Sequence, residues 1–291
     1  MASVVDRFCR FLDRAERSPL TRRNYRSDLE GLATWFEGQN GYSFSPDQIT
    51  STDLREYKRW LAGQALKPAT INRKFASLRC FLNWAVDVRL LRSGHGLRLP
   101  KPVREQRRGP RWLDRREQHR LIRAVERAGK SRDVAAILLM LNTGLRVAEL
   151  CALVWRDIRV TDRHGTLTVR NGKGSKHREI PLNKDARRVL LLLGYREHAG
   201  KATPVFLGQR GRLTPRGFQL LLAHYVKTAK LQEVTPHSLR HSFCKNLANA
   251  GVSLEKIAAL AGHESLETTR RYCEPSLGEL EEAVELVSEE E

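Results

Sequence analysis

At 291 residues and 41% hydrophobic, the chain can bury a sizeable core, reads more naturally as two domains than one, and is not disordered in character. Its formal net charge of +19 points to a polyanionic partner, nucleic acid first and an acidic membrane second. The five cysteines (Cys9, Cys80, Cys151, Cys244, Cys273) are odd in number and scattered, without a C-x-x-C pair, which argues against a disulfide framework or a structural zinc site. No signal-like pattern opens the chain and no apolar run approaches the ~18 residues of a membrane span, so a soluble chain in a reducing cytoplasm, away from membranes, is expected.

Residues 4–15 set apolar and charged side chains at helical spacing, and helices follow over 18–36 and 52–61, the latter with Thr52 as its expected N-cap. A fourth helix begins at Pro68, where Ile71, Phe75, Leu78, Leu82 and Ala85 recur at intervals of four and three as one apolar stripe. Residues 1–102 therefore read as a small helical domain. Arg73, Lys74 and Arg79 lie off the stripe, and Arg22, Arg23 and Arg26 form a similar basic face on the second helix. By itself each face reads as solvated helix surface.

Prolines and basic residues without apolar periodicity mark a linker over 103–112. The second domain, 113–291, opens with a helix over 113–128. The run AAILLML within 133–141 is too apolar for a surface helix and is expected to be the central buried one. Thr143-Gly144-Leu145-Arg146 ends it, with Gly144 free to take a positive φ at the exit, and a short segment carrying Glu149 follows at once. Alternation over 166–170 and 177–182 about the turn Asn171-Gly172-Lys173-Gly174 predicts a hairpin, and a further strand is expected over 205–207. Helices over 185–193 and 215–229 come next, the second with Arg216 in its first turn.

The stretch from Thr235 to Cys273 organises the rest. Thr235 and Pro236 read as an N-cap and first-turn pair, which sets His237 and Arg240 three apart on one helix face. Gly251 and Gly262 punctuate the following helices, and Ser265 caps the one leading to Tyr272. The pattern His237-x-Leu239-Arg240-His241, then Gly262-His263, then Tyr272, resembles the carboxy-terminal signature of the tyrosine recombinases, the DNA strand-exchange enzymes that include the Xer, Cre and lambda-integrase groups. With Arg146, Glu149 and Lys173 the resemblance covers most of the second half. Departures are small: Ala261 stands where leucine usually precedes Gly-His, and Cys273 follows the tyrosine.

The resemblance implies a mainly α chain with a small β-sheet: a four-helix, SAM-like core-binding domain and a tyrosine-recombinase catalytic domain, together clamping double-stranded DNA. It also implies roles. Arg146 and Arg240 match the two arginines that grip the scissile phosphate and His263 matches the third donor; a guanidinium suits this because its planar fork binds two oxygens and keeps its charge. Tyr272 matches the nucleophile. A phenol titrates near about 10, so it needs a base during attack, the position matched by His237. The five other tyrosines read as half-buried core residues. Lys173 matches the hairpin lysine that protonates the leaving 5′-oxygen, with Lys176 as rival. Glu149 matches the acidic residue that orients catalytic side chains. Beside this signature the basic residues Arg22, Arg23, Arg26, Arg73, Lys74, Arg79 and Arg216 become expected DNA contacts.

No metal and no cofactor are expected, since the phosphotyrosine link conserves the energy of the broken bond and the chain has no G-x-x-x-x-G-K-[ST] loop. The tail over 279–291 holds seven glutamates and no basic residue, and residues 277–287 can form an amphipathic helix. The resemblance implies that this tail docks on a neighbouring protomer in a homotetramer on paired sites, exchanging strands through a Holliday junction. Xer-like dimer resolution and mobile-element resolution or integration both fit, with a second recombinase or accessory protein left open. The alternatives from other classes are a type IB topoisomerase and a DNA-binding protein without catalysis on the same fold.

Overall fold

The computed structural model describes residues 3–104, 109–170, 177–263, 265–270, 280–281 and 284–285; Lys173, Lys176, Tyr272 and Cys273 lie outside the described residues. The chain is mainly helical and divides into two compact units, Met1–Arg107 and Arg108–Glu291. Among the described residues no helix is long and apolar enough to cross a membrane.

The first unit is built from α1 (Val4–Arg14), α2 (Pro19–Asn40), α3 (Ser51–Gly63) and α4 (Pro68–Asp87). Ser18 caps α2 with Pro19 at the first helical position, and Gly41 ends it at φ 76°. The cap of α3 is Thr50, not Thr52: with Asp53 three residues on, Thr50 closes a reciprocal capping box that Thr52 has no partner to form. On α4, Ile71, Phe75, Leu78, Leu82 and Ala85 are all buried, packing with Phe8, Leu12, Phe36 and Leu54 in one core. Beneath them lies a buried carboxylate, Asp28, which accepts hydrogen bonds from Ser77 Oγ at 2.7 Å, from Lys74 Nζ at 3.3 Å and from Arg73. Pairing is what permits a charge at that depth. Beyond α4, the Asn72 amide donates to the Val103 carbonyl at 3.0 Å and accepts from its N–H at 2.8 Å, holding the chain against the helix as far as that residue.

In the second unit α5 (Arg115–Arg127) and α6 (Ser131–Thr143) lead to the short α7 (Val147–Ala152). Nine of the thirteen residues of α6 are buried because α5, α8 (Lys184–Leu192) and α11 (Pro236–Asn249) all pack on it, which accounts for its apolar run. The sheet has the order β1 (Ile158–Val160), β2 (Gly165–Arg170), β3 (His177–Pro181), antiparallel throughout, with Leu167 opposite both Ile158 and Ile180. β1 is absent from the sequence expectation because three residues are too few to show an alternation. The strand expected over 205–207 is a correction: Val205 and Phe206 are buried loop residues, and the pairing there is a two-residue ladder of β4 (Leu207–Gly208) with β5 (Gly211–Arg212), separate from the sheet. A single helical turn, α9 (Tyr195–His198), also escaped the pattern; α10 (Pro215–Thr228), α12 (Leu254–Ala261) and α13 (Leu266–Arg270) complete the unit. The tyrosines differ from the expectation too: Tyr57 and Tyr225 are fully buried, whereas Tyr42 is 48% exposed.

Candidate active site

The end of α6 anchors the site. Gly144 terminates the helix at φ 62°, and a Cβ there would run into the Phe243 ring, so both backbone angle and space demand glycine. Two residues on, Arg146 is the N-cap of α7, and the Glu149 carboxylate accepts its backbone N–H at 2.8 Å. The Arg146 guanidinium donates to Glu149 Oε1 at 2.9 Å and to the Gly262 carbonyl at 2.6 Å, which ties α7 to the loop after α12.

Arg240 comes from α11, whose start is the Thr235–Pro236 cap pair. It is 3% exposed, and its Nη1 donates to the Gly144 carbonyl at 2.6 Å. Among the described residues it has no carboxylate partner. Burial and then the neighbouring Arg146 charge depress its pKa below the ordinary arginine value. A buried guanidinium held by a neutral carbonyl retains attraction for an anion.

Gly262 ends α12 at φ 69° and turns the chain into His263, whose Nδ1 lies 2.9 Å from the Thr269 hydroxyl of α13. Burial, followed by Arg240, Arg146 and Arg178, pushes the His263 pKa down to about 4, so the ring is neutral near pH 7. His237 is exposed at the start of α11, stacked on His241 with ring centres 5.8 Å apart. Partial desolvation and the charges of Arg240 and Arg146 lower its pKa as well. His241 is pushed down to about 4, by burial first and then by His237, Arg240 and His263.

Sequence reasoning missed Arg178. From β3 its Nη1 and Nη2 grip Glu149 Oε1 and Oε2 at 2.9 and 2.7 Å, and its Nε donates to the Leu260 carbonyl at 3.2 Å. Glu149 thus sits between two guanidiniums. The signal was present: period-two alternation puts Arg178 on the same strand face as the buried Ile180.

The structure therefore brings Arg146, Glu149, His237, Arg240 and His263 together at the ends of α6, α11 and α12. Of the expected DNA contacts, Arg22 pairs with Asp13, Arg26 with Asp6 and Glu30, and Arg73 and Lys74 with Asp28. The Lys74 side chain is only 17% exposed. Arg23, Arg79 and Arg216 are exposed and make no ion pair among the described residues. Nor, among those residues, does any group of three or more His, Cys, Asp or Glu side chains gather as metal ligands.

A cluster of guanidiniums and imidazoles at converging helix ends, in a chain that also carries a four-helix unit, fits a phosphodiester-processing enzyme of the tyrosine recombinase class. Family comparison agrees: residues 111–277 match the model of the phage integrase family, and residues 5–88 that of the phage integrase N-terminal SAM-like domain. Tyrosine recombinase XerC of Corynebacterium efficiens is 32% identical over 300 residues, covering 97% of this chain and 90% of the relative. Tyrosine recombinase XerD of Xanthomonas axonopodis pv. citri is 33% identical over 288 residues, covering 93% and 92%. The chain belongs to the phage integrase family and is a site-specific tyrosine recombinase acting on DNA. Among solved structures it is similar to the XerH recombinase bound to a palindromic difH substrate in a post-cleavage complex, with TM-score 0.77, 21% identity and coverage of 99% of this chain and 86% of that one. The Tn1549 transposon integrase in complex with transposon right end DNA gives 0.75 at 21% identity, covering 98% and 99%. At such identity the likeness is one of fold.

Proposed function

We propose that Arg146, Arg240 and His263 hold the scissile phosphate while the Tyr272 hydroxyl attacks it. The phenolic oxygen bonds to phosphorus, the bond to the 5′-oxygen breaks, and a 3′-phosphotyrosine and a free 5′-hydroxyl result. His237, neutral because its pKa is lowered, accepts the phenol proton. Lys173 gives a proton to the departing oxygen. Each donor on the developing pentacoordinate charge contributes about 3–4 kcal/mol, a range measured for oxyanion-hole donors. The observation that carries this reading is the buried Arg240, oriented by a carbonyl and matched by no carboxylate among the described residues.

The finer partner assignments belong to the same reading. Four protomers on two sites exchange strands through a Holliday junction, each tail docking on its neighbour. Leu280 and Val284, 47% and 69% exposed, support a surface for that tail outside its own domain. The XerC and XerD relatives favour a Xer-like errand, and the scattered cysteines fit a reducing cytoplasm. Arg23, Arg79 and Arg216 are the foremost candidates for backbone contact, since no acidic side chain competes for them among the described residues. The test uses a duplex selected from random sequence by binding, then nicked beside the cleavage point. In EDTA it should trap a protein–DNA adduct joined at the DNA 3′ end. Tyr272→Phe should lose the adduct and keep binding; an adduct that survives the change overturns the nucleophile assignment.

A further inference from the structure

We propose that Arg178 is a positioning residue for cleavage: it holds in place both groups that accept hydrogen bonds from the Arg146 guanidinium. The inference rests on the reading of Arg146 as a phosphate-binding group. It supplies what that reading lacks, a reason for a partly exposed arginine to keep one orientation.

Left to itself, an arginine side chain that is 39% exposed trades its hydrogen bonds for water and moves among many rotamers. Arg146 is held because Glu149 Oε1 and the Gly262 carbonyl stand 2.9 and 2.6 Å from its two terminal nitrogens. Arg178 fixes each of these acceptors. Its Nη1 and Nη2 donate to Glu149 Oε1 and Oε2, a two-pronged grip that sets the plane of the carboxylate. Its Nε donates to the Leu260 carbonyl, which as one of the last carbonyls of α12 has no donor within the helix. Two residues on, the guanidinium packs over Gly262 itself. A Cβ there would lie 2.7 Å from Arg178 Nη1 and 2.9 Å from Cζ, so residue 262 is glycine for space as well as for its φ of 69°. One side chain of β3 thus holds α7 and the end of α12 at the separation that Arg146 bridges.

Arg178 also governs how much charge Arg146 keeps. Two guanidiniums share one carboxylate, and the deeper one, 13% exposed, takes both oxygens while the Arg146 side chain bonds to one. The excess positive charge lies at Arg146, the more exposed of the two. Without Arg178, the Glu149 carboxylate would be free to turn both oxygens onto Arg146, drawing it off the Gly262 carbonyl and neutralising it.

The test is a mutant cycle on the nicked substrate, read as the single-turnover rate of adduct formation with protein in saturating excess. Arg178→Met should slow the parent on the order of 100-fold, as small misplacements of reacting groups do. In Arg146→Ala, where nothing remains to be positioned, the same change should cost less than about threefold. A side chain that serves the fold alone would cost the same factor in both backgrounds, and that result overturns the proposal. So does a parental rate for Arg178→Met. If the methionine variant does not fold, Arg178→Lys runs the same cycle, because one ammonium cannot span both carboxylate oxygens and the Leu260 carbonyl. A crystal structure of the Arg178 variant reads the position directly: the Arg146 guanidinium should have left the Gly262 carbonyl, and finding it in place overturns the positioning. A parental rate for Arg146→Ala would instead remove the phosphate-binding reading, and the crystal structure would then decide the role of Arg178 alone.

Discussion

Replacing Glu149 by glutamine changes one charge and almost no volume, yet it strikes the point where three segments meet. The carboxylate, 10% exposed, accepts four hydrogen bonds, from the Arg146 backbone and Nη1 and from both terminal nitrogens of Arg178. An amide offers one oxygen for these donors and turns its own NH2 group toward the others. Removing one member of a buried ion pair costs about 3–5 kcal/mol. The low end applies because the Arg146 side chain is 39% exposed, so water replaces part of what it loses. Urea unfolding should therefore show a loss of about 3 kcal/mol with an unchanged slope. With Arg146 displaced by the lost bonds, the variant should cleave the nicked substrate on the order of 100-fold more slowly, as small misplacements of catalytic groups do.

The same substitution has a pH signature. Burial raises the Glu149 pKa, but the bonds from Arg178 and from the Arg146 N–H, with the Arg178 charge and the Arg146 guanidinium bond, outweigh it and hold the group below its ordinary 4.5. A depressed pKa gives stability that is complete above the unfolded value and lost as pH falls through the folded one. Glu149→Gln should remove that component, so its stability should fall less steeply than the parent's below about pH 4.5. A variant as stable as the parent at pH 7, with the same acid sensitivity, would refute the idea that this carboxylate holds the arginines in place.

Gly144→Ala forces a Cβ into the Phe243 ring at a positive φ and should cost about 3 kcal/mol in urea unfolding, part of it recovered by Phe243→Ala; unfolding at the parental midpoint sinks the argument. Lys173→Ala should slow cleavage severely on ordinary DNA and recover much of the rate on a 5′-bridging phosphorothiolate, whose sulfur leaves without a proton. Equal impairment on both substrates transfers the acid role to Lys176. Truncation after Pro275 should spare single-protomer binding but weaken cooperative assembly on paired sites in gel-shift titrations; assembly as tight as that of the full chain rules out docking of the tail on a neighbour.

What could be read before the structure depended on how local each signal was. The α4 stripe, the apolar run of α6 and the Thr235–Pro236 cap are local patterns, so the helices that carry Arg146 and Arg240 follow from nearest neighbours. Arg178 is a different case. Its meaning lies in a contact with Glu149, 29 residues away across a strand and a helix, and its position opposite an acid is invisible until β3 is placed. Thr269 is one of two adjacent threonines, and nothing in their order says which hydroxyl reaches His263. The basic residues of α2 and α4 looked alike along the chain, yet Asp28 draws in Lys74 and Arg73 while Arg79 stays in water. That division is a property of packing between α2 and α4, and charge counting cannot see it.

The Gly144 carbonyl that receives Arg240 has a further consequence. A carboxylate in its place would orient the guanidinium and cancel its charge; a carbonyl orients it and cancels nothing. Burial and the Arg146 charge disfavour the charged form of Arg240 in the free protein, and on the proposed reading an arriving oxyanion offsets that cost. Folding and substrate capture become linked equilibria. Sulfate or inorganic phosphate, which imitate one DNA phosphate, should raise the unfolding temperature of the parent in proportion to their occupancy of the cleft and do so far less in Arg240→Met. On the proposed reading such a protein is poised rather than relaxed, and the DNA backbone is the last ligand of its fold.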